Sequence, residues 1–224
     1  MNQNNGTTDT VDQTEVQRLK SLYSYDILDS EAEKEFDNLT ELAASICGTP
    51  ISMINLIDRN RQWSKSVIGL DNKSREVPRN SSVCQHTIYS DNIYEVKSLS
   101  EHPEYKDFPY VKGSPNLEYY LGAPLTDQDG NSIGAICVLD YHQRDLSDTQ
   151  KRQLKILADE VMARLELKKK NSELKEINKH KIELMKILSH DMRSPLSGII
   201  GISGLLSESI DKGDKEKEML DIIE

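Results

Sequence analysis

The residues Leu188-Ser189-His190-Asp191-Met192-Arg193-Ser194-Pro195-Leu196 set an imidazole beside a carboxylate. An imidazole accepts a phosphoryl group when one ring nitrogen is unprotonated and open to in-line attack. The proton on the other nitrogen must be held, which fixes the tautomer and stabilises the developing charge. Asp191 is the nearest carboxylate able to do so. The surrounding pattern provides the exposure: Met185, Leu188, Met192, Pro195, Ile199, Ile202 and Leu206 recur at alternating steps of three and four, as the a and d positions of a helical bundle do. In that frame His190 falls at f, farthest from the seam, and Asp191 at g. Pro195 removes a helical hydrogen bond to the carbonyl of Asp191 and crowds it, which predicts a kink one turn below the histidine.

A second set of reactive side chains lies upstream. Cys47, Cys84 and Cys137 are the only cysteines and include no C-x-x-C pair, which suits a reducing compartment better than a disulfide framework. Cys84, His86, Trp63 and Tyr120 are candidates for the wall of a small-molecule pocket. A buried thiol and a satisfied core histidine are the simpler readings of Cys84 and His86, and no metal site is expected.

Composition narrows the partners. A net charge of -10 over 224 residues argues against nucleic acid and anionic lipid, and an aromatic content of 5% argues against base-stacking platforms. No segment approaches the length of a membrane span, and the polar start lacks the apolar core of a secretory signal. The expected location is cytoplasmic.

Residues 1–14 read as a disordered tail. A capping box at Ser30 and Glu33 predicts a helix from Glu31, with Phe36, Leu39, Ala43 and Ile46 on one face and Gly48 and Pro50 ending it. Ile51 to Asp58 and Trp63 to Ile68 read as strands, residues 80–90 as a short helix, and Ile93 to Val96 as a strand. Glu101 to Ser114 reads as loop with one helical turn. Leu117 to Thr126 and Ser132 to Leu139 flank Asp129-Gly130, a strong hairpin signal. The order is α+β around an antiparallel sheet.

A second capping box, Ser147 and Gln150, opens a run in which only Pro195 forbids helix. Leu154, Leu157, Val161 and Leu165, then Leu174, Ile177, Leu184 and Leu188, form a seam that slips in phase near Met185, a stutter. Such a helix needs a partner, so a parallel homodimer through residues 147–224 is expected. Asp211 to Asp214 reads as a turn into a second helix, Lys215 to Glu224.

Ser189 through Leu196 matches the H-box of the histidine kinase dimerisation and phosphoacceptor domain at every position, and this stretch resembles that family. The resemblance implies that His190 accepts phosphate from ATP and passes it to an aspartate on a response-regulator receiver domain. It implies an acid/base role for Asp191, and a phosphatase role for Ser194, which stands where many members carry Thr or Asn. The Asn-rich and Gly-rich boxes of the ATP-binding domain are absent. ATP and magnesium would therefore belong to a missing catalytic domain, and the chain reads as a fragment that does not autophosphorylate by itself.

From Val16 to Leu165 the sequence resembles a GAF domain. The resemblance is carried by Asp26-Ile27-Leu28-Asp29, Glu35-Phe36-Asp37, Asp58 to Asp71 with Gln62-Trp63, and Val83-Cys84-Gln85-His86-Thr87-Ile88. Leu121-Gly122-Ala123-Pro124-Leu125 and Asp129-Gly130 through Asp140 complete it. It implies an antiparallel sheet flanked by helices, with a ligand pocket on one face. The motifs of bilin-binding and cyclic-nucleotide relatives are absent, so the ligand is unspecified. The expected organisation is a GAF sensor domain over 15–146, a signalling helix or coiled-coil linker over 147–183, and a phosphoacceptor segment over 184–224 cut short in its second helix. Two other function classes remain open. One is a non-catalytic, ligand-binding relay dimer. The other is a GAF-fold redox enzyme such as a free methionine sulfoxide reductase, which requires Cys84 and Cys137 close enough to bridge.

Overall fold

Strand side chains alternate between two faces of a sheet, and this sequence places apolar residues on both. The computed structural model describes the backbone of residues 6–70 and 75–221 and the side chains of residues 13–70 and 75–204. Asp71, the first five residues and the side chain of Leu206 lie outside the described residues. The strands are β1 (Ile51–Ile57), β2 (Arg61–Ile68), β3 (Glu76–Pro78), β4 (Tyr94–Val96), β5 (Tyr119–Thr126) and β6 (Ser132–Asp140). They form one antiparallel sheet in the order β3-β2-β1-β6-β5-β4. β3, at three residues, is too short to carry a periodic signal and was not expected.

Helices α1 (Gly6–Ser24) and α2 (Lys34–Cys47) and the start of α5 (Asp148–Asp221) cover one face of the sheet. The short helices α3 (Cys84–Thr87) and α4 (Pro109–Lys112), with their connecting segments, cover the other. β1 shows the division: Ile54 and Leu56 enter the first core, and Ile51, Met53 and Ile57 the second. In β6, Ile136 and Val138 face one core, and Ala135, Cys137 and Leu139 the other. The β5–β6 hairpin forms around Asp129-Gly130, with Gly130 at φ +85°, where other residues are strained. The Asp127 carboxylate organises the loop by accepting from the backbone N–H groups of Asp129 and Asn131 at 2.9 and 2.7 Å.

The register of β1 against β2 slips between Ile54 and Asn55: Ile54 opposes Ser66, Asn55 opposes Ser64, and Lys65 is left over. This bulge turns Lys65 and Ser66 both toward α2. Ser66 Oγ donates to Asp37 Oδ1 at 2.6 Å. Lys65, only 1% exposed, donates to Ser30 Oγ at 2.8 Å, to the Glu31 carbonyl at 2.6 Å and to Glu33 Oε1 at 2.5 Å. This contact explains why the expected capping box at Ser30 and Glu33 does not form. Both side chains are taken by the buried lysine, and α2 starts at Lys34 with no side-chain cap.

The polar start of the chain is helical from Gly6 onward, where a disordered tail to residue 14 was expected. The helix is anchored by Leu19 and Leu22 in the core and by Glu15, which bridges the buried Arg18 and the half-buried Arg79 at 2.8 and 2.6 Å. Burial raises the Glu15 carboxyl, but hydrogen bonds from Arg18 and Arg79 outweigh it and hold it down to about 2. A carboxyl depressed by folding stabilises the fold above its unfolded pKa and loses that contribution as pH falls toward its folded pKa. A shift of that size would convert to roughly 3 kcal/mol, and solvent screening of the partly exposed side chain reduces it. Glu15→Gln is expected to cost about 1–2 kcal/mol at neutral pH and to flatten the acid limb of stability between about pH 5 and pH 2. Urea midpoints across that range check both.

The capping box at the start of α5 does form. The Ser147 N–H donates to Gln150 Oε1 at 3.0 Å, and the Gln150 N–H donates to Ser147 Oγ at 3.4 Å. Gln150 also ties α5 to α2 through the Ile46 carbonyl at 3.0 Å. Leu154, Leu157, Val161 and Leu165, expected as a linker seam, are buried in the first core. The GAF core therefore continues past residue 146, because α5 supplies the apolar stripe that α1 and α2 leave uncovered. Charged contacts follow on the next turns. Arg164 pairs with Glu35 at 3.2 Å, Glu166 accepts from Tyr25 Oη at 2.5 Å, Lys168 pairs with Glu33 at 2.5 Å, and Lys169 donates to Ser24 at 2.9 Å.

The chain divides into two compact units, residues 1–170 and 171–224. The second is helical to Asp221, the last described residue, through Pro195 and through Asp211 to Asp214, where a turn was expected. That tetrapeptide has one glycine, costing about 1 kcal/mol in a helix, and no proline to break it. Met185, Leu188, Met192, Ile199 and Ile202 are all more than half exposed, so the seam read from the sequence presents an apolar stripe.

Candidate functional site

β1, β2, β5 and β6 and the segment from Ser81 to Cys84 enclose a pocket of about 430 Å³ on the α3 face of the sheet. Its floor is buried and consists of Asn55, Cys84, Tyr120 and Cys137. Its outer part, formed by Leu70, Ser81, Tyr110, Ser114 and Pro115, is half-buried or exposed. Gln62 and Ser82 add polar groups, and no charged side chain lines it among the described residues.

Cys84 and Tyr120, singled out from the sequence, both line this pocket; Trp63 and His86 do not. Gln62 and Trp63 are successive strand residues and face opposite ways, so Gln62 reaches the pocket and Trp63 the opposite core. Cys84 and His86 are two apart on a helical turn, about 200° around it. His86 stacks among Tyr94 and Tyr105, with Nε2 3.2 Å from Glu104 Oε1 but off the direction of a hydrogen bond. The two therefore cannot share a ligand. Among the described residues, no three or more His, Cys, Asp or Glu side chains are grouped to hold a metal ion.

The floor is one hydrogen-bonded cluster. Ser64 Oγ donates to Asn55 Oδ1 at 2.7 Å, which turns the Asn55 amide nitrogen toward Cys84 Sγ and Cys137 Sγ at 3.3 and 3.5 Å. Tyr120 Oη donates to Cys84 Sγ at 3.2 Å and meets Thr87 Oγ1 at 2.7 Å. Gly122 makes room for this: a Cβ there would lie 2.3 Å from Tyr120 Oη. The two sulfurs are 3.8 Å apart, the proximity that a redox reading requires. Asn55 was missed from the sequence, although a lone amide inside Ile-Ser-Met-Ile-Asn-Leu-Ile is the kind of buried polar residue that marks a site.

In the second unit His190 and Asp191 are exposed on α5, at 84% and 71% of their side-chain surfaces. His190 Nδ1 lies 3.3 Å from Asp191 Oδ1. With the Nδ1 proton facing the carboxylate, the Nε2 lone pair points to solvent and is free to attack. Ser194 is exposed one turn further on. No described helix is long and apolar enough to cross a membrane.

A flanked antiparallel sheet with a pocket on one face, followed by a helix presenting an exposed His-Asp pair, defines a sensor domain joined to a phosphoacceptor segment. The chain belongs to the GAF domain family, whose model matches residues 31–165. The His Kinase A (phospho-acceptor) domain matches residues 180–224. Together they make the chain a two-component sensor in its domain organisation. It is 36% identical over 140 residues to a cyclic di-GMP phosphodiesterase of Pseudomonas aeruginosa, a match covering 62% of this chain and 24% of that protein. The chain thus spans about a quarter of the length of this curated relative. The GAF domain of an Acinetobacter phosphoenolpyruvate-protein phosphotransferase superposes with a TM-score of 0.51 at 17% identity, covering 67% of this chain and 92% of that one. The free methionine-R-sulfoxide reductase of Neisseria meningitidis, solved with its substrate, gives 0.51 at 16% identity, covering 66% and 87%. At these identities the superpositions establish the fold alone.

Proposed function

We propose that this chain senses a small molecule or redox cue through its GAF pocket and so controls ATP-dependent phosphorylation of His190. The phosphoryl group then passes to an aspartate on a response-regulator receiver domain. The observation that carries this reading is the exposed His190 whose Nδ1 faces Asp191 within the matched phospho-acceptor domain. Asp191 holds the Nδ1 proton while Nε2 attacks the γ-phosphorus, and the developing imidazolium charge is offset by the adjacent carboxylate. Ser194, exposed one helical turn beyond His190, would be the residue to orient a water that hydrolyses the regulator's phosphate.

The apolar stripe from Met185 to Ile202 supports a homodimer. Burying a large apolar side chain contributes roughly 1.5–3 kcal/mol, and Met185, Leu188, Met192, Ile199 and Ile202 stand exposed in one phase. The neutral lining of the GAF pocket supports an uncharged ligand, since an anion there would lose its hydration with no described cation to replace it. The contacts of Arg164, Glu166, Lys168 and Lys169 with α1, α2 and the Ser24-Tyr25 corner are where a change in the GAF domain would act on α5.

The test is incorporation of labelled phosphate. The chain is incubated with ATP and magnesium alone, and then with a histidine-kinase ATP-binding domain supplied in trans. The reading expects label only in the second case, and its transfer to a receiver domain. Label in the first case would show that the chain binds ATP itself, and none in either would remove the acceptor role.

A further inference from the structure

The pocket floor holds reactive groups that phosphoryl transfer does not use. We propose that Cys84 and Cys137 form a reversible dithiol–disulfide pair, oxidised by a small hydroperoxide that enters the GAF pocket. The pair rests on its own geometry, and its use as the cue rests on the sensor reading above.

The two cysteines are 53 residues apart in sequence, yet their sulfurs lie in contact at 3.8 Å. A disulfide needs about 2.05 Å, so the two side chains, already in contact, must rotate toward each other for the bond to form. Both thiols are buried, but they form the inner end of a pocket whose rim includes the exposed Ser114. A hydroperoxide is small and uncharged and fits this neutral lining.

The hydrogen bonds make the pair asymmetric. Cys84 Sγ accepts from the Tyr120 hydroxyl at 3.2 Å and the Asn55 amide at 3.3 Å, and only Cys84 of the two has the tyrosine, while the two sulfurs share the 3.8 Å contact. The hydrogen bond with Cys137 draws the Cys84 thiol below its ordinary range, against burial, with Tyr120 and Asn55 adding to the effect. The same bond and burial push Cys137 well up. Burial also keeps Tyr120 protonated, so it remains a donor. Cys47 is the internal comparison: buried in α2 away from the pocket, its thiol is pushed up to about 11 by burial alone. Cys84 is thus the attacking thiolate and Cys137 the resolving thiol.

The steps balance as follows. The Cys84 thiolate attacks the terminal hydroperoxide oxygen and the O–O bond breaks. The leaving alkoxide or hydroxide takes the Cys137 proton, leaving a sulfenic acid on Cys84 and a thiolate on Cys137. Cys137 attacks Cys84 Sγ, the S–O bond breaks, and the hydroxide leaves as water with the proton first released from Cys84. In sum, two thiols lose two electrons and two protons, the peroxide becomes an alcohol or water, and one further water forms. A low-molecular-weight thiol reverses the step by exchange.

The experiment treats the reduced full chain with hydrogen peroxide in slight excess, blocks the remaining thiols and maps the peptides by mass spectrometry. Two of the three thiols should be lost, with one Cys84–Cys137 linked peptide and full recovery on reduction with dithiothreitol. Cys47→Ser should leave that result unchanged, and Cys137→Ser should stop Cys84 at the sulfenic acid. If Cys137→Ser does not fold, the peptide map of the Cys47→Ser chain still decides. Loss of Cys47 at the same rate as the pair, or no linked peptide, overturns the proposal. The two readings fail separately. Absence of the linked peptide overturns the pair whatever His190 does, and a linked peptide in a chain whose His190 takes no phosphate overturns the sensor reading alone.

Discussion

Replacing His190 by glutamine is expected to abolish phosphate incorporation from ATP and an ATP-binding domain in trans, down to the background of the assay. Glutamine keeps the length and polarity of the side chain but has no nucleophilic ring nitrogen. The exposed position means that the fold does not depend on the imidazole, so circular dichroism and the melting temperature should not change. His180, also exposed on α5, is the matched control, and His180→Gln should retain label. Asp191→Asn separates the partner's role from the acceptor's. It can still touch Nδ1, but it carries no charge to balance the developing imidazolium, and general acid–base assistance of this kind is worth about a hundredfold or more. Slow but measurable label at His190 is the expected result for that variant. The phosphate should be acid-labile, as a phosphoramidate is, and label that survives acid would place it on another side chain.

The second large effect is on stability. Lys65→Met is expected to destabilise residues 1–170 by about 2–4 kcal/mol, read as a lower urea midpoint with an unchanged slope. Methionine fills the space of the lysine stem but leaves Ser30 Oγ and the Glu31 carbonyl without their donor, and it removes the ammonium held over the Phe36 ring at 5.2 Å. Glu33 keeps Lys168 as a partner. Burial raises the Glu33 carboxyl, and the hydrogen bonds from Lys168 and Lys65 more than reverse this, so it sits below its ordinary value. The stability from Glu33 is therefore present above the ordinary carboxyl range and lost as pH falls through its lowered pKa. Lys168→Met should cost much less, about 0–1 kcal/mol, because Lys168 is about one-third exposed and the buried Lys65 remains.

How far the sequence foretold this arrangement depended on whether the signal was local. The sheet was legible because period-two alternation writes both faces into one strand, and Asp129-Gly130 located the hairpin. The Ser147–Gln150 box was legible because nothing distant competes for those side chains. The identical logic failed at Ser30 and Glu33, where Lys65, more than thirty residues away, takes both. The bulge that aims Lys65 there is a one-residue slip that no local pattern shows. Leu154 to Leu165 have the spacing of a coiled coil and of a helix packed on a sheet, and periodicity alone does not tell these apart. At the pocket, the residue types were readable but their facing was not. Trp63 stood in for its neighbour Gln62, and His86 was read as sharing a wall with Cys84. Asn55 and the approach of Cys137 to Cys84 depend on β1 lying beside β6, which only the sheet order reveals. His190 was the opposite case: its exposure and its carboxylate partner are properties of one helix, and so are visible in the sequence.

The central claim is that the GAF domain controls phosphorylation at His190 through α5. Inserting one alanine between Lys169 and Lys170, just beyond the contacts to Glu33 and Ser24, shifts the helix phase downstream by about 100°. Inserting seven residues shifts it by only about 20° and preserves the heptad frame. Label at His190 is then followed with the ATP-binding domain in trans. A rate changed several-fold by the single insertion and restored by the seven-residue one is the predicted result. Equal rates in all three chains would contradict the claim and leave His190 a phosphate acceptor without a controlling sensor.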